Sequence, residues 1–296
     1  MRVAAVDIGT NTVRLLIADV GDGDRVPCEV IRRSVITGLG RGVDASGRFA
    51  SGPLTATLQA LARYRDLAGA HRVERIRAVA TSASRDVADP SEFLDQAEAV
   101  LGVRPEIIGG DVEAASSYRG ATAGSPVPPP ATVLDVGGGS TEIVHGHAEP
   151  TWCRSIDIGS VRLTDRLLQD LPAGAGRVTA ARAMAAEAFS VVRTPPGNAV
   201  GVGGTITTLA AMARPDLPVA GRPLEAETIA ATIERLAHLS VDRIEAIAGV
   251  PAGRAPVILG GAIVVEAAMA AIDASTLVVS TRDLLDGIAL DLADRA

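Results

Sequence analysis

Two stretches of the chain, about half its length apart, share one layout, and this repeat limits the available folds more than any other feature. Residues 2–20 (RVAAVDIGTNTVRLLIADV) and 131–148 (ATVLDVGGGSTEIVHGHA) each consist of an apolar strand, a tight polar turn with glycine and a second apolar strand. In both stretches an aspartate, Asp7 or Asp135, stands just before the turn. A single glycine hairpin is common, but two copies predict a duplicated domain.

The segment that precedes the second copy has the composition of a linker. Residues 120–131 read GATAGSPVPPPA, which is rich in Pro, Gly and Ser and carries no charge. We therefore predict a first domain over residues 1–122, a linker over 123–130 and a second domain over 131–281.

The rest of the chain alternates short apolar strands with segments of helical periodicity, which predicts α/β domains with mixed sheets. Ser91 is predicted as the N-cap of one helix, and residues 224–238 are predicted as another. The longest apolar stretch, residues 257–272, contains Glu266 and is short for a membrane span. We predict a buried helix there and no membrane partner.

The charged residues exclude several kinds of chemistry. The chain has a net charge of −7 and no lysine, so it cannot contain a GxxxxGK[ST] phosphate-binding loop or form a Schiff base. Arginine, backbone N–H groups and metal must bind any phosphate. The acidic balance and the 2% of aromatic residues disfavour nucleic acid as a partner.

The cysteines and histidines predict neither a disulfide framework nor a zinc site. Cys28 and Cys153 are far apart, and the N-terminus does not read as a signal peptide, so we predict a cytoplasmic protein. His145 and His147 form an H-x-H pair on one strand, but no third ligand stands at a useful spacing.

The sequence DVGGGSTE predicts a phosphate-binding turn with a metal at its edge. The N–H groups of successive glycines form an anion-binding concavity, and Ser140 and Thr141 can add hydroxyl donors. Asp135 and Glu142 would repel a phosphate unless a cation lies between them. Mg²⁺ binds one or two carboxylates together with phosphate oxygens and water. The alternative is a tight hairpin whose acids are solvated.

Seven segments carry a resemblance to a known family. They are DIGTNTVRLLI, ATSASRD, IIGGDVEAASSYRG, DVGGGSTE, SIDIGSVRLTD, GVGGTITTLA and VILGGAIV, in that order and across nearly the whole chain. The chain resembles the short, two-domain form of the exopolyphosphatase / guanosine pentaphosphate phosphohydrolase family. The resemblance implies the fold of the actin, Hsp70 and sugar-kinase superfamily: two duplicated ribonuclease-H-like (actin-like ATPase) domains with a cleft between them. It also implies that a C-terminal helix over residues 282–296 completes the first domain.

The same resemblance implies a role for individual residues. Glu113 matches the base that activates the attacking water; the alternative is a mere charge at a helix start. Asp135 and Glu142 match the cation-binding pair, and Asp7 joins them as a metal ligand. The implied phosphate-binding residues are Asn11, Thr12, Arg14, Ser82, Arg85, Gly137, Gly138, Gly139, Ser140, Thr141, Gly203, Gly204 and Thr205. Two positions depart from the family pattern: Val112 replaces a glutamate, and Leu285 stands where many relatives have arginine.

The resemblance therefore implies an exopolyphosphatase that uses Mg²⁺ or Mn²⁺ to remove the terminal orthophosphate of inorganic polyphosphate. Hydrolysis of guanosine pentaphosphate is the alternative reaction. A different class of function is a nucleotide-binding actin-like sensor, with ATP or ADP as ligand and vestigial hydrolysis. A homodimer is expected by analogy with relatives.

Overall fold

The computed structural model describes residues 1–21, 23 and 26–294. The chain divides into two units. Unit 1 comprises Met1–Gly124 together with Arg282–Ala296, and unit 2 comprises Ser125–Thr281. The last two residues of the predicted C-terminal helix, 295 and 296, lie outside the described residues.

Unit 1 contains a five-stranded mixed sheet. Its strands are β1 (Arg2–Ile8), β2 (Thr12–Asp19), β3 (Cys28–Ile36), β4 (Arg75–Ala80) and β5 (Glu106–Ile107). The strand order is β3-β2-β1-β4-β5. The strand β2 pairs antiparallel with both β1 and β3, whereas β4 pairs parallel to β1 and β5 parallel to β4.

Helices cover both faces of this sheet, because β1 is apolar on both faces. The helices are α1 (Val43–Ser46), α2 (Ser51–Ala70), α3 (Ser82–Asp86), α4 (Ser91–Leu101), α5 (Gly110–Thr122) and the last helix of the chain, α12 (Leu284–Asp294). Ala4 and Val6 pack in one core with Leu61 of α2, while Val3 packs in another with Leu285 of α12. Leu285 is thus a core residue of unit 1.

Unit 2 contains a six-stranded mixed sheet with the same central arrangement. Its strands are β6 (Ala131–Val136), β7 (Thr141–Gly146), β8 (Pro150–Ile156), β9 (Asn198–Val202), β10 (Pro223–Glu225) and β11 (Thr276–Val279). The order is β10-β11-β9-β6-β7-β8. As β1 does in unit 1, β6 pairs antiparallel with the next strand and parallel with a later one. The duplicated α/β fold predicted from the two hairpins is confirmed.

The helices of unit 2 surround a central buried helix. They are α6 (Ser160–Leu167), α7 (Ala175–Phe189), α8 (Gly203–Ala213), α9 (Ala226–Ala237), α10 (Val241–Glu245) and α11 (Ala255–Ala271). Twelve residues of α11 are buried, which confirms the predicted buried helix. Within the described ranges, no helix has the length and apolarity needed to cross a membrane.

Some predicted boundaries were wrong. The helix α4 begins at Ser91, so Ser91 is its first residue rather than its cap, and the Asp89 carboxylate accepts a hydrogen bond from the Ser91 amide at 2.9 Å. The predicted helix over 224–238 begins at Ala226 because Pro223–Glu225 pairs with β11 as the short strand β10. The edge strands β3 and β8 were not predicted.

Candidate active site

The two glycine hairpins, β1–β2 and β6–β7, have the same register. The turn of the first hairpin is closed by a hydrogen bond from Gly9 N to Thr12 O at 3.1 Å, and that of the second by one from Gly137 N to Ser140 O at 3.0 Å. This register places Arg14 directly opposite Asp7, and Glu142 directly opposite Asp135. Because directly opposite residues share one face of a sheet, each aspartate has its partner beside it.

Hydrogen bonds from the start of α6 fix the orientation of the glycine turn in the second hairpin. The carbonyl oxygens of residues 137, 138 and 139 accept from Ser160 N at 3.0 Å, Val161 N at 2.8 Å and Arg162 Nε at 2.8 Å, respectively. In a planar trans peptide the N–H points opposite to the C=O. The N–H groups of residues 138–140 therefore point away from α6 together, as the donors of an anion-binding turn must.

Glycine at position 159 makes this close approach possible. A Cβ atom on Gly159 would lie 2.5 Å from the carbonyl oxygen of Gly138. Any larger residue would therefore push α6 away from the turn and release the hydrogen bonds that orient it.

A pair of buried carboxylates lies at the end of the same turn. Asp135 and Glu142 are both buried, and Glu142 Oε1 accepts a hydrogen bond from Ser155 Oγ at 2.8 Å. Gly203, with a φ of +88°, lies so close that its Cβ would be 2.8 Å from Asp135 Oδ1. Two hard oxygen donors beside an anion-binding turn fit Mg²⁺ or Mn²⁺, which complete their coordination with water and phosphate oxygens.

The pair of Asp135 and Glu142 offers two carboxylates to a metal. Among residues 1–21, 23 and 26–294, no group of three or more His, Cys, Asp or Glu side chains is arranged to hold a metal ion. The register brings Asp135 and Glu142 together, whereas Asp7, the third predicted ligand, belongs to unit 1.

The predicted residues Gly203, Gly204 and Thr205 form the first turn of α8. The first N–H groups of a helix have no partner within it and favour anions. A Cβ at Gly204 would collide with the guanidinium of Arg254, so this buried cation lies directly against the helix start. A Cβ at Gly261 of α11 would lie 2.6 Å from Thr205 Cγ2, so Gly261 lets α11 pack tightly against the start of α8.

Ser140 and Thr141, the two hydroxyl residues of the second hairpin, have different surroundings. Thr141 Oγ1 donates to the carbonyl of Ile158 at 2.6 Å, so its proton is committed to the protein rather than directed to a phosphate. Ser140 is buried in the turn itself. The structure thus brings Ser140 and the three glycines together in the turn, and gives Thr141 a structural hydrogen bond.

In unit 1, Arg14 is bound by carboxylates on two sides. Its Nε and Nη2 each lie 2.8 Å from Asp7 Oδ2, and its Nη1 donates to Asp283 Oδ2 at the start of α12. Asp7 is buried, and burial raises the pKa of its carboxyl above the usual range, although the charge of Arg14 opposes the shift. The structure therefore places Arg14, predicted to bind phosphate, in an ion-pair network.

The remaining polar groups of the first turn are buried with unused hydrogen-bonding capacity. In unit 1, the buried side-chain atoms that lack a hydrogen-bond partner among the described residues are Asp7 Oδ1, both polar atoms of Asn11, and Ser84 Oγ. Thr10 Oγ1 accepts from Ala83 N at 3.2 Å, so the turn contacts the start of α3. Such groups cost free energy unless a ligand or water satisfies them, and the sequence motifs predicted to bind phosphate contain all of them.

Glu113 lies in the first turn of α5 and is paired with Arg85. Its side chain is buried, and its Oε2 accepts a hydrogen bond from Arg85 Nη1 at 2.8 Å. The same nitrogen donates to the carbonyl of Ile108, which fixes the guanidinium. Ser82 Oγ lies 3.4 Å from Asp86 Oδ2, and Thr12 is buried at the start of β2. Arg85 thus orients the predicted base.

The sequence analysis missed four residues that the structure places at these motifs. They are Ser84, Arg162, Arg254 and Asp283. Ser84 and Arg162 lie inside quoted motifs, so the sequence contained a signal for them. Arg254 and Asp283 precede helices whose packing brings them to the site, and that packing is not visible as a local pattern.

The comparisons with known proteins agree with the fold. A model of the Ppx/GppA phosphatase family matches residues 16–296. The chain is 42% identical to exopolyphosphatase 2 of Mycobacterium tuberculosis, over 99% of this chain and 98% of that protein. Its structure is similar to that of an exopolyphosphatase-like protein, with a TM-score of 0.93 and 34% identity over 99% of this chain and 98% of that one. For the Aquifex aeolicus member of the Ppx/GppA family the TM-score is 0.82, with 31% identity over 100% and 98% of the two chains.

The fold and these similarities first define a class: a mixed α/β hydrolase with the actin-like ATPase fold. Within that class, the chain belongs to the Ppx/GppA phosphatase family.

Proposed function

We propose that the protein is a metal-dependent exopolyphosphatase that releases orthophosphate from the end of inorganic polyphosphate. The observation that carries the proposal is the turn of the second hairpin, where α6 orients three successive N–H groups and a carboxylate pair lies at the edge. Donors alone would suit any anion, and acids alone would suit any cation. Their combination suits a phosphate with its divalent ion. The named relative supports polyphosphate as the substrate.

In the proposed mechanism, residues of the second hairpin and α8 bind the phosphates, and a residue of α5 activates water. Asp135 and Glu142 would hold Mg²⁺ or Mn²⁺, and the bound ion would supply charge neutralisation for the phosphate oxygens. The N–H groups of residues 138–140 and the first turn of α8 bind the terminal phosphates. The Glu113 carboxylate accepts a proton from water as the water oxygen bonds to the terminal phosphorus. The bond from that phosphorus to the bridging oxygen breaks, and the shortened chain leaves with the electron pair.

The test measures phosphate release from polyphosphate, guanosine pentaphosphate and ATP in parallel, with Mg²⁺, for the wild type and for Glu113→Gln. We expect polyphosphate to be the best substrate and the variant to lose about 10²–10⁴-fold in kcat, because general-base catalysis contributes about that much. Asp111→Asn is the matched control: Asp111 lies in the same helical turn but is exposed, and we expect near wild-type rates.

The same assay separates the alternatives. Release from guanosine pentaphosphate alone would indicate the nucleotide phosphohydrolase. Binding of ATP without release of phosphate from any of the three would favour the nucleotide-binding sensor. Full turnover by Glu113→Gln would show that Glu113 is not the base.

A further inference from the structure

Two aspartates of the sequence Asp-Leu-Leu-Asp, Asp283 and Asp286, cap the start of the C-terminal helix α12. Asp283 Oδ1 accepts a hydrogen bond from Leu285 N at 3.0 Å, and Asp286 Oδ2 accepts one from Asp283 N at 3.0 Å. This arrangement resembles a capping box: the third helical residue, Asp286, satisfies the amide of the cap residue, and the cap carboxylate satisfies the amide of the second helical residue, Leu285. One oxygen of Asp283 is enough for the cap.

The other oxygen of Asp283 binds the first hairpin. Asp283 Oδ2 accepts from Arg14 Nη1, while Arg14 Nε and Nη2 both contact Asp7 Oδ2. The guanidinium therefore lies between a carboxylate of β1 and a carboxylate that follows 269 residues after Arg14 in the chain. A planar guanidinium that is bound on two edges is fixed in one orientation, and it fixes the orientation of the carboxylate that it contacts.

The charges of the cluster are unequal. Three carboxylates, those of Asp7, Asp283 and Asp286, are buried beside two arginines, Arg14 and Arg32. Arg32 lies 2.8 Å from Asp286 Oδ2 and 3.7 Å from Asp283 Oδ1. Asp7 Oδ1 has no hydrogen-bond partner among the described residues. The network thus leaves one buried acceptor oxygen on Asp7, and Arg14 is held on the opposite oxygen.

We propose that Asp283 is a positioning residue that holds Arg14 on one oxygen of Asp7 and so keeps the other oxygen available to a divalent cation. The inference rests on the proposed metal-dependent function. Without the Asp283 carboxylate, Arg14 loses this hydrogen bond, and the guanidinium can turn onto Asp7 Oδ1, where it competes with the cation. Arg14 acts in this arrangement on Asp7 rather than on a phosphate.

The test is Asp283→Asn, because asparagine is an equally good N-cap and keeps the acceptor for the Leu285 amide. Two quantities are measured: binding of Mn²⁺ to the protein without substrate, from the electron paramagnetic resonance signal of free Mn²⁺, and the steady-state rates on polyphosphate. We expect Mn²⁺ affinity and kcat to fall about 10–100-fold, with KM for polyphosphate little changed, because losing a group that orients a metal ligand typically costs about this much.

The matched control is Asp286→Asn, which keeps the acceptor of the capping box and removes a charge that faces Arg32 instead of Arg14. We expect its Mn²⁺ affinity and kcat to stay near wild type. Arg14→Lys is the second test, because lysine keeps the charge but cannot bind both carboxylates with a fork; we expect the same losses as for Asp283→Asn.

Wild-type Mn²⁺ affinity in Asp283→Asn, or in Arg14→Lys should the first variant fail to fold, would overturn the proposal. Equal losses in Asp286→Asn would overturn it as well, since they would indicate a general effect of charge at the helix start. If the wild type does not hydrolyse polyphosphate, the proposed function fails, and the Mn²⁺ measurement still decides the role of Asp283.

Discussion

The two glycine hairpins have the same backbone arrangement, but the residue opposite the aspartate is positively charged in the first and negatively charged in the second. In each unit, the segment that follows the third strand of the sheet donates hydrogen bonds to the carbonyl groups of the hairpin turn. This segment comprises residues 37–40 in unit 1 and residues 159–162 in unit 2. Position for position, however, the partner of Asp7 is an arginine and the partner of Asp135 is a glutamate. The first hairpin places an acid opposite a base, while the second places two acids side by side, an arrangement that like-charge repulsion disfavours. A duplicated scaffold thus supports one carboxylate held by an arginine and one carboxylate pair that we propose as the cation site.

Matched substitutions of the two partners, Arg14→Gln and Glu142→Gln, give the largest expected contrast. Arg14→Gln leaves the Asp7 carboxylate buried without its guanidinium and removes the nearer of two guanidinium groups from Asp283, so we expect a loss of about 3–5 kcal/mol in the free energy of unfolding. Glu142→Gln keeps an acceptor for the Ser155 hydroxyl and removes one of two like charges, so we expect a change below about 1 kcal/mol. Urea denaturation followed by circular dichroism measures both.

Activity should separate the same variants. We expect Glu142→Gln to fold normally yet lose about 100-fold or more in phosphate release, because the metal loses a ligand. Arg104→Gln serves as the control for the denaturation series, since it breaks two exposed ion pairs, each worth at most about 1 kcal/mol. If Glu142→Gln destabilised the protein as much as Arg14→Gln, both pairs would be structural and the contrast would disappear.

A smaller effect is expected from the third carbonyl group of each turn, because different donors bind it in the two hairpins. In the first hairpin, Asn11 O accepts from the backbone amides of Thr37 and Gly38, whereas the equivalent Gly139 O accepts from the side chain of Arg162. A side-chain substitution can therefore remove the hydrogen bond to Gly139 O, but it cannot remove the backbone hydrogen bonds to Asn11 O. We expect Arg162→Gln to raise KM for polyphosphate about tenfold, or about 1.4 kcal/mol, because the third N–H of the turn loses its orientation. Initial rates against substrate concentration measure this.

The control for Arg162→Gln is Arg222→Gln. Arg222 also donates to backbone carbonyls, including that of Ala210, but it does so at the far end of α8. We expect an unchanged KM there. An unchanged KM in Arg162→Gln as well would mean that the backbone bonds of α6 alone hold the turn.

The hairpins also indicate how far the sequence can be used for prediction. The strand-turn-strand pattern predicts the register, and the register alone places Glu142 opposite Asp135. The edge strands β3 and β8 were missed because they are half-exposed and lack clear alternation. The partners of the arginines could not be predicted, because Arg14 meets Asp283 only when α12 returns to the sheet, and Arg85 meets Glu113 only when α5 packs.

The smallest expected effect concerns a buried polar pair that only the second hairpin has. Thr132 Oγ1 and His145 Nδ1 lie 2.9 Å apart, at the positions that Ala4 and Ile17 occupy in the first hairpin. Burial, and to a lesser degree the charge of His147, lowers the pKa of His145 below its usual value of 6.5. The unfolded chain therefore takes up a proton near pH 6.5 while the folded protein does not.

It follows that wild-type stability falls as the pH drops below 6.5 toward the folded pKa of His145, and that this contribution is absent above 6.5. We expect the double variant Thr132→Ala with His145→Ile, which copies the first hairpin, to lose that part of the pH dependence. The fluorescence of Trp152, the single tryptophan and the cross-strand neighbour of His145, reports urea unfolding of this hairpin. Parallel pH profiles for the two proteins would show that the slope comes from other groups and that the polar pair behaves like its apolar counterpart.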